Sequence, residues 1–117
     1  MLTYWRKMVK LKHVILESAK KEGADSMLLT IQESVRHEPG QFLQVSVLGY
    51  GEAPISICSY QKNRVQLLVR NVGSVTNAIF NNPESILIRG PYGSGYGMAK
   101  FKGKDIIVIA GGSGVAP

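Results

Sequence analysis

The sequence predicts an all-β fold, a small antiparallel barrel with one short helix. Apolar residues recur at every second position in several short segments, which is the spacing of half-buried strands. Stretches rich in Gly, Pro, Asn and Asp separate these segments at intervals of about 8–12 residues, as in all-β domains. Only one segment departs from the alternation. With 117 residues, of which 44% are apolar, the chain is long enough for one modest core.

Five segments place apolar side chains at alternate positions. The first has Val9, Leu11 and Ile15 at this spacing, with His13 between them. The other four predict these inward-facing residues: Met27, Leu29 and Ile31; Leu43, Val45 and Val47; Val65, Leu67 and Val69; Ile86 and Ile88. In the fourth segment, Leu68 and Arg70 fall on the opposite face.

The segment GEAPISICS forms a further strand. Pro54 has no N–H for a sheet ladder, so this strand is expected where that N–H is not needed. Ser56 alternates with Ile55 and Ile57, which suits one polar contact in an apolar groove or simply a strand hydroxyl. Cys58 is expected to be a small buried apolar residue. A single cysteine excludes an intramolecular disulfide and a four-cysteine cluster, and favours a reducing, cytoplasmic setting.

The segment SVTNAIFNN predicts the helix, with Ser74 or Thr76 as the N-cap and Pro83 as the terminator. Its apolar positions at helical spacing are Val75, Ala78 and Ile79. Gly73 precedes it, so backbone N–H groups and the Thr76 hydroxyl are expected to point outward and to hold a phosphate or diphosphate. Arg70 would supply the charge. An ordinary strand–turn–helix junction with no ligand is the alternative.

The last part of the chain follows a different pattern. The glycine-rich stretch GPYGSGYGMAKFKGK is interpreted as a linker, and DIIVIA is a continuous apolar run typical of a strand in a parallel sheet. Glycines in the following AGGSGVAP would permit close approach of a pyrophosphate, although the spacing is not GxGxxG. We therefore divide the chain into a barrel domain (1–99) and a linker with the first strand and turn of a second, truncated domain (100–117). Residues 105–117 are expected to be disordered, to lie back on the barrel or to pair with a second copy of the chain.

Charge and composition exclude several classes of function. Six basic and two acidic residues fall in 1–23, five of each in 24–99, and three lysines with one aspartate after residue 99. The balanced middle argues against a nucleic-acid-binding face, which needs concentrated positive charge with interleaved aromatics. No apolar run reaches the length of a membrane span, and the first residues lack a signal-peptide pattern. His13 has no second His or carboxylate spaced for a metal site.

Five motifs, taken in order, resemble the ferredoxin–NADP reductase superfamily: PGQF, GEAPISICS, VRNVGSVTNAIF, IRGPYGSGYG and IAGGSGVAP. The resemblance covers about residues 8–117. It is greatest to the branch that contains the flavin subunits of soluble hydrogenases (sulfhydrogenase gamma type), of anaerobic sulfite reductase and of dihydroorotate dehydrogenase, the last being its electron-transfer subunit. It implies a six-stranded Greek-key barrel that binds FAD, followed by an NAD(P)-binding domain of which this chain has only the beginning.

The resemblance also implies roles for individual residues. The family motif R-x-Y-S/T, which holds the flavin, falls on Ala53, Pro54, Ile55 and Ser56. Ser56 keeps its place near the flavin N5 edge, Ile55 replaces the stacking tyrosine, and Ala53 replaces an arginine that contacts the diphosphate. The other implied cofactor-binding residues are Leu68, Val69 and Arg70 on the second flavin strand; Gly73, Ser74, Val75 and Thr76 at the diphosphate turn; and Gly111, Gly112 and Gly114 at the pyridine-nucleotide turn.

The sequence thus predicts the FAD-binding barrel of a flavin reductase subunit. The parent protein would pass electrons between NAD(P)H and an iron–sulfur or hydrogenase partner subunit, with NAD(P) bound only in a full-length form. Two alternatives stay open. One is a non-enzymatic interaction module on a similar barrel, and the other is a family member that has lost its flavin along with the arginine at position 53.

Overall fold

A computed structural model describes residues 11–31, 35–59, 61 and 64–117. It contains six strands, one α-helix and two short 3₁₀ turns. In chain order these elements are β1 (Lys12–Lys21), β2 (Ser26–Ile31), β3 (Phe42–Val47), β4 (Gly51–Ser56), β5 (Val65–Arg70), α1 (Ser74–Asn81), β6 (Ser85–Tyr92) and the turns Met98–Phe101 and Gly112–Val115. The predicted all-β class with one short helix is confirmed. Val9 lies outside the described residues.

The six strands form one antiparallel sheet in the order β4-β3-β6-β1-β2-β5. The sheet curls until its two edges meet at one end. There a single bridge joins Ile57 to Leu67, and the Cys58 N–H donates to the Gln66 carbonyl at 3.0 Å. The sheet is therefore barrel-like without being closed along its whole edge. β4 is an edge strand, as predicted from Pro54, because an edge tolerates a residue that has no N–H to donate.

The core lies inside this curled sheet and confirms the alternation in β2, β3, β5 and β6. The inward-facing apolar residues on these strands are Met27, Leu29, Ile31, Leu43, Val45, Val65, Leu67, Val69, Ile86 and Ile88. Val47, predicted among them, is only partly buried and packs against this core. Burying side chains of this size contributes about 1.5–3 kcal/mol each before the entropy of ordering the chain is counted.

The predicted inward face of β1 is wrong. Leu11 and Ile15 are exposed, whereas Val14 and Leu16 are buried. Apolar residues occur on both faces of β1, so alternation alone does not choose between them. The register with β6 does, because it places Val14 opposite the buried Ile86. His13 is exposed on the outer face.

The helix α1 ends at Asn81, two residues before Pro83, as predicted, but its N-cap is Gly73 rather than Ser74 or Thr76. Thr76 lies one turn inside the helix, and its hydroxyl reaches back to the capping backbone. Val75 and Ile79 pack into the core. Among the described residues, no helix has the length and apolar character needed to cross a membrane.

The motif PGQF is hydrogen-bonded to the loop at residues 93–96, at one end of the barrel. The Tyr96 N–H donates to the Pro39 carbonyl at 2.8 Å, and the Gln41 side-chain amide donates to the Gly93 carbonyl at 2.8 Å. Gly40 has a φ of +95°, and a Cβ there would lie 2.9 Å from the Tyr96 ring and backbone nitrogen. Glycine is therefore required by both its backbone conformation and the close approach of the 93–96 loop.

The segment after the barrel departs from its prediction in two places. Gly90–Tyr92, interpreted as linker, belongs to β6. The predicted strand over 105–110 is not formed, because no described strand runs beside these residues to complete a ladder. Ile107, Val108 and Ile109 are almost fully exposed.

Candidate functional site

A groove of about 450 Å³ lies between β4, the end of β5, the start of α1 and the turn near residue 114. Its described lining residues are Ala53, Pro54, Ile55, Ser56, Leu68, Arg70, Val72, Thr76, Gly114, Ala116 and Pro117. The strand motif at 53–56, two residues of β5 and Thr76, all predicted site residues, therefore come together here. The volume is within the usual range of small-molecule and cofactor sites, about 300–1,000 Å³.

The walls of the groove are apolar apart from three side chains. Ala53 and Ile55 face the groove and also pack against the core, while Pro54 is exposed and Ser56 half-buried. Pairing of β4 with β3 fixes these positions, with Ile55 opposite Leu43 and Ser56 opposite Phe42. Ser56, Arg70 and Thr76 are the polar side chains among the described lining residues. Such a groove suits a flat apolar ring system with a charged end.

Arg70 is the one cation among the described lining residues. It is the last residue of β5 and is exposed, and its Nε donates to the Asp25 carboxylate at 3.2 Å. Its two terminal amino groups make no hydrogen bond to any other described residue. Planar pairs of donors of this kind match the oxygens of a phosphate.

The Thr76 hydroxyl does not point outward, contrary to the prediction. It accepts hydrogen bonds from the Val72 and Gly73 N–H groups at 3.0 and 2.9 Å and donates to the Gly73 carbonyl at 3.1 Å. This satisfies the Gly73 N–H, which helix formation would leave unpaired, and the N–H of Val72 just before the helix. The N–H groups of Ser74, Val75 and Thr76 still lack acceptors within the helix. The anion-binding capacity of this turn therefore rests on backbone donors.

Several predicted site residues do not line the groove. Val69 and Val75 point into the core, and Gly73, Ser74, Gly111 and Gly112 lie outside the lining. The position of Val69 follows from the alternation in β5, which places Leu68 and Arg70 on the other face. The lining residues Val72, Ala116 and Pro117 were missed. The apolar character of Val72, two residues after the charged end of β5, was the only available signal.

A second charged cluster lies beside the groove and spans β4, β3 and β6, with Glu52 directly before Ala53 on β4. The guanidinium of Arg89 holds both oxygens of Glu52 and donates to the Tyr92 hydroxyl at 3.1 Å; Ser46 also donates to Glu52. Hydrogen bonding from Arg89 lowers the pKa of Glu52, outweighing the opposite effect of desolvation. The same pair raises the pKa of Arg89. Because Glu52 already occupies Arg89, this arginine does not replace the one missing at position 53.

Cys58 is half-buried rather than fully buried, and its thiol donates to the Gln66 carbonyl at 3.2 Å. Desolvation raises the pKa of this thiol, which keeps it protonated and unreactive. In the part of the chain that the structure describes, no three His, Cys, Asp or Glu side chains are grouped as metal ligands would be.

Known proteins resemble this chain in sequence, although no protein-family model matches it. It is 47% identical over 90 residues to the sulfhydrogenase 2 subunit gamma of Pyrococcus furiosus, covering 74% of this chain and 31% of the relative. It is 34% identical over 109 residues to the probable dihydroorotate dehydrogenase B (NAD(+)), electron transfer subunit, of the same organism, covering 92% and 41%. The corresponding subunit of Methanocella arvoryzae is 36% identical over 91 residues.

The chain spans about a third of the length of the curated relatives it matches. Those relatives are named as subunits. The identities extend over at least 74% of this chain in each of the three pairs above, in agreement with the resemblance drawn from its five motifs. The chain is a homologue of the sulfhydrogenase gamma subunits and dihydroorotate dehydrogenase electron transfer subunits, and belongs with them to the ferredoxin–NADP reductase-like family.

Proposed function

We propose that the barrel is the FAD-binding domain of an electron-transfer subunit of an oxidoreductase. The observation that carries the proposal is the convergence of residues 53–56, Leu68, Arg70 and the start of α1 on one groove. The groove fits FAD in character, since it joins apolar walls to one cation, Arg70, and to Thr76 in the first turn of α1.

Each part of the cofactor has residues suited to it. Ile55 and Leu68 offer apolar contact to the isoalloxazine ring, and Ser56 offers a hydroxyl to its polar edge. Arg70 is suited to the diphosphate, and the N–H of Thr76, which has no acceptor within the helix, is a further donor at the same end of the groove. When bound, FAD would supply the redox chemistry, accepting a hydride and giving up single electrons, while the protein supplies binding and orientation.

The relatives support the electron-transfer role. One group is named as electron transfer subunits of an NAD(+)-linked dehydrogenase and the other as sulfhydrogenase subunits. We propose that the whole protein takes electrons from NAD(P)H and passes them to an iron–sulfur partner subunit. Gly111, Gly112 and Gly114 would then begin the nucleotide turn. Its neighbouring strands would have to come from outside the described residues, because such sites form across several parallel strands.

A second contact is proposed for the exposed run at residues 106–109. An exposed apolar run with unpaired backbone groups can pair with a strand of another chain, and in the isolated chain a second copy is the available one. Sedimentation velocity over a range of concentrations tests this. A mass that increases with concentration in the wild-type chain, and not in Ile107→Lys, is expected, whereas equal behaviour of both chains would contradict self-association.

The flavin proposal is tested by filling the groove. Ser56→Trp places a large ring inside it, and Ser18→Trp adds the same ring at an exposed position of β1 that does not line the groove. The wild-type and Ser18→Trp chains are expected to bind FAD and become yellow, with FAD released on denaturation and identified by mass. Ser56→Trp is expected to be folded and colourless. A colourless wild-type chain that takes up no added FAD would contradict the proposal.

A further inference from the structure

We infer that Asp25 is a positioning residue for the anionic part of the ligand, acting through Arg70. The inference rests on the proposed function. Asp25 lies in the turn between β1 and β2, outside every motif that carries the family resemblance and outside the groove lining. It would hold the guanidinium so that both terminal amino groups face the diphosphate.

Three contacts fix this turn to the end of β5. The Asp25 carboxylate accepts the Arg70 Nε hydrogen bond at 3.2 Å, and the Asp25 carbonyl accepts the Asn71 N–H at 2.8 Å. Ser26, the next residue, is paired with Arg70 in the β2–β5 register. The backbone of Asp25 is thus fixed to β5, and this holds the Asp25 carboxylate beside Nε of Arg70.

The choice of Nε has a chemical consequence. A guanidinium held through Nε keeps its two Nη groups available for two parallel hydrogen bonds to an oxyanion. Without Asp25, an exposed arginine at a strand end would sample many rotamers, and phosphate binding would have to order it. Because position 53 is alanine, Arg70 has no second described cation in the groove lining to share this role.

The negative charge of Asp25 acts in the opposite direction, since it weakens the attraction of Arg70 for an anion. The Arg70 and Asp25 side chains are 60% and 58% exposed, so water screens this repulsion. Orientation and charge can be separated by substitution. Asp25→Asn and Asp25→Ala remove the same charge, but only asparagine retains an oxygen that can accept from Nε.

The experiment compares FAD and riboflavin titrations of these two variants, with flavin fluorescence as the readout. Riboflavin lacks phosphate and serves as the internal control. Glu17→Ala is the matched variant, because it breaks the Glu17–Arg64 pair, which is also 3.2 Å long and does not contribute to the groove lining. Thermal melting of each chain establishes that it is folded.

Asp25→Ala is expected to bind FAD about threefold to fivefold more weakly than Asp25→Asn, the change expected from an exposed pair worth up to ~1 kcal/mol. Riboflavin should bind both variants equally, and Glu17→Ala should bind FAD as the wild-type chain does. Equal FAD affinities for the two Asp25 variants, or an equal loss for riboflavin, would overturn the inference alone. A wild-type chain that binds no FAD would overturn the proposed function together with it.

Discussion

Strand β6 and the run at residues 106–109 both contain isoleucines, but in opposite surroundings. Ile86 and Ile88 are 2% and 4% exposed, in a strand paired with β1 on one side and β3 on the other. Ile107 and Ile109 are 90% and 93% exposed, and no described strand pairs with them. An apolar run thus becomes a buried strand only where neighbouring strands supply both the hydrogen-bond ladder and the opposing side chains.

The largest expected effect tests this contrast with one substitution in two places. Ile88→Ala should lower the free energy of unfolding by about 2–5 kcal/mol, because it leaves a cavity in the core. Ile107→Ala should change it by less than about 0.5 kcal/mol, because the side chain is already in water. Urea unfolding at a concentration where the chain is monomeric measures both. Similar losses at the two positions would mean that residues 106–109 are packed in solution.

A second comparison separates packing from backbone strain at two glycines. Gly23 and Gly40 have φ values of +94° and +95°, but only Gly40 is in close contact, with Tyr96. Gly23→Ala should cost about 1–2 kcal/mol from its left-handed conformation alone. Gly40→Ala should cost about 1–3 kcal/mol more, the usual effect of overpacking. Equal losses of unfolding free energy would show that the 93–96 loop is not held against PGQF.

A third comparison concerns two buried threonines. Thr76→Val leaves the Val72 and Gly73 N–H groups without their acceptor, and should lower the free energy of unfolding by about 0.5–2 kcal/mol, the range for a lost helix cap. Thr30→Val loses one side-chain contact, from Gln66 at 3.3 Å, and should cost less. Chemical denaturation of both variants provides the test. A smaller loss for Thr76→Val than for Thr30→Val would mean that the Thr76 hydroxyl does not accept from the Val72 and Gly73 N–H groups.

The smallest effect concerns pH. Because Arg89 lowers the pKa of Glu52 in the folded chain, this pair contributes stability that is present above the ordinary carboxyl pKa. That stability is lost as the pH falls through the lowered folded value. Melting temperatures should therefore fall less for Glu52→Gln than for the wild-type chain between about pH 5 and pH 2.

Glu84 makes no ion pair among the described residues, so Glu84→Gln is the control for the loss of one acidic group. If Glu52→Gln and the wild-type chain lost stability in parallel, the Glu52–Arg89 pair would contribute nothing to folding.

Sequence patterns determined the parts of the fold where only one face of a strand is apolar. In β5 the pattern correctly placed Val69 in the core and Arg70 on the opposite face. Pro54 correctly indicated that β4 is an edge strand. In β1 both faces carry apolar residues, so the buried face depended on pairing with β6, which local sequence does not contain. The Arg70–Asp25 contact joins residues 45 positions apart, and the turning of the Thr76 hydroxyl toward Gly73 depends on the exact helix start. Both are properties of the assembled fold.

The proposal that the groove holds a flavin with its diphosphate at Arg70 is tested by titrating wild-type, Arg70→Ala and Arg64→Ala chains with FAD and riboflavin. Arg70→Ala is expected to weaken FAD binding by about 10-fold to 150-fold, which corresponds to a hydrogen bond to a charged group worth ~1.5–3 kcal/mol. Riboflavin binding by Arg70→Ala should be unchanged, and Arg64→Ala should bind FAD as the wild-type chain does. Wild-type FAD affinity in Arg70→Ala, or an equal loss for both ligands, would rule out a diphosphate at Arg70.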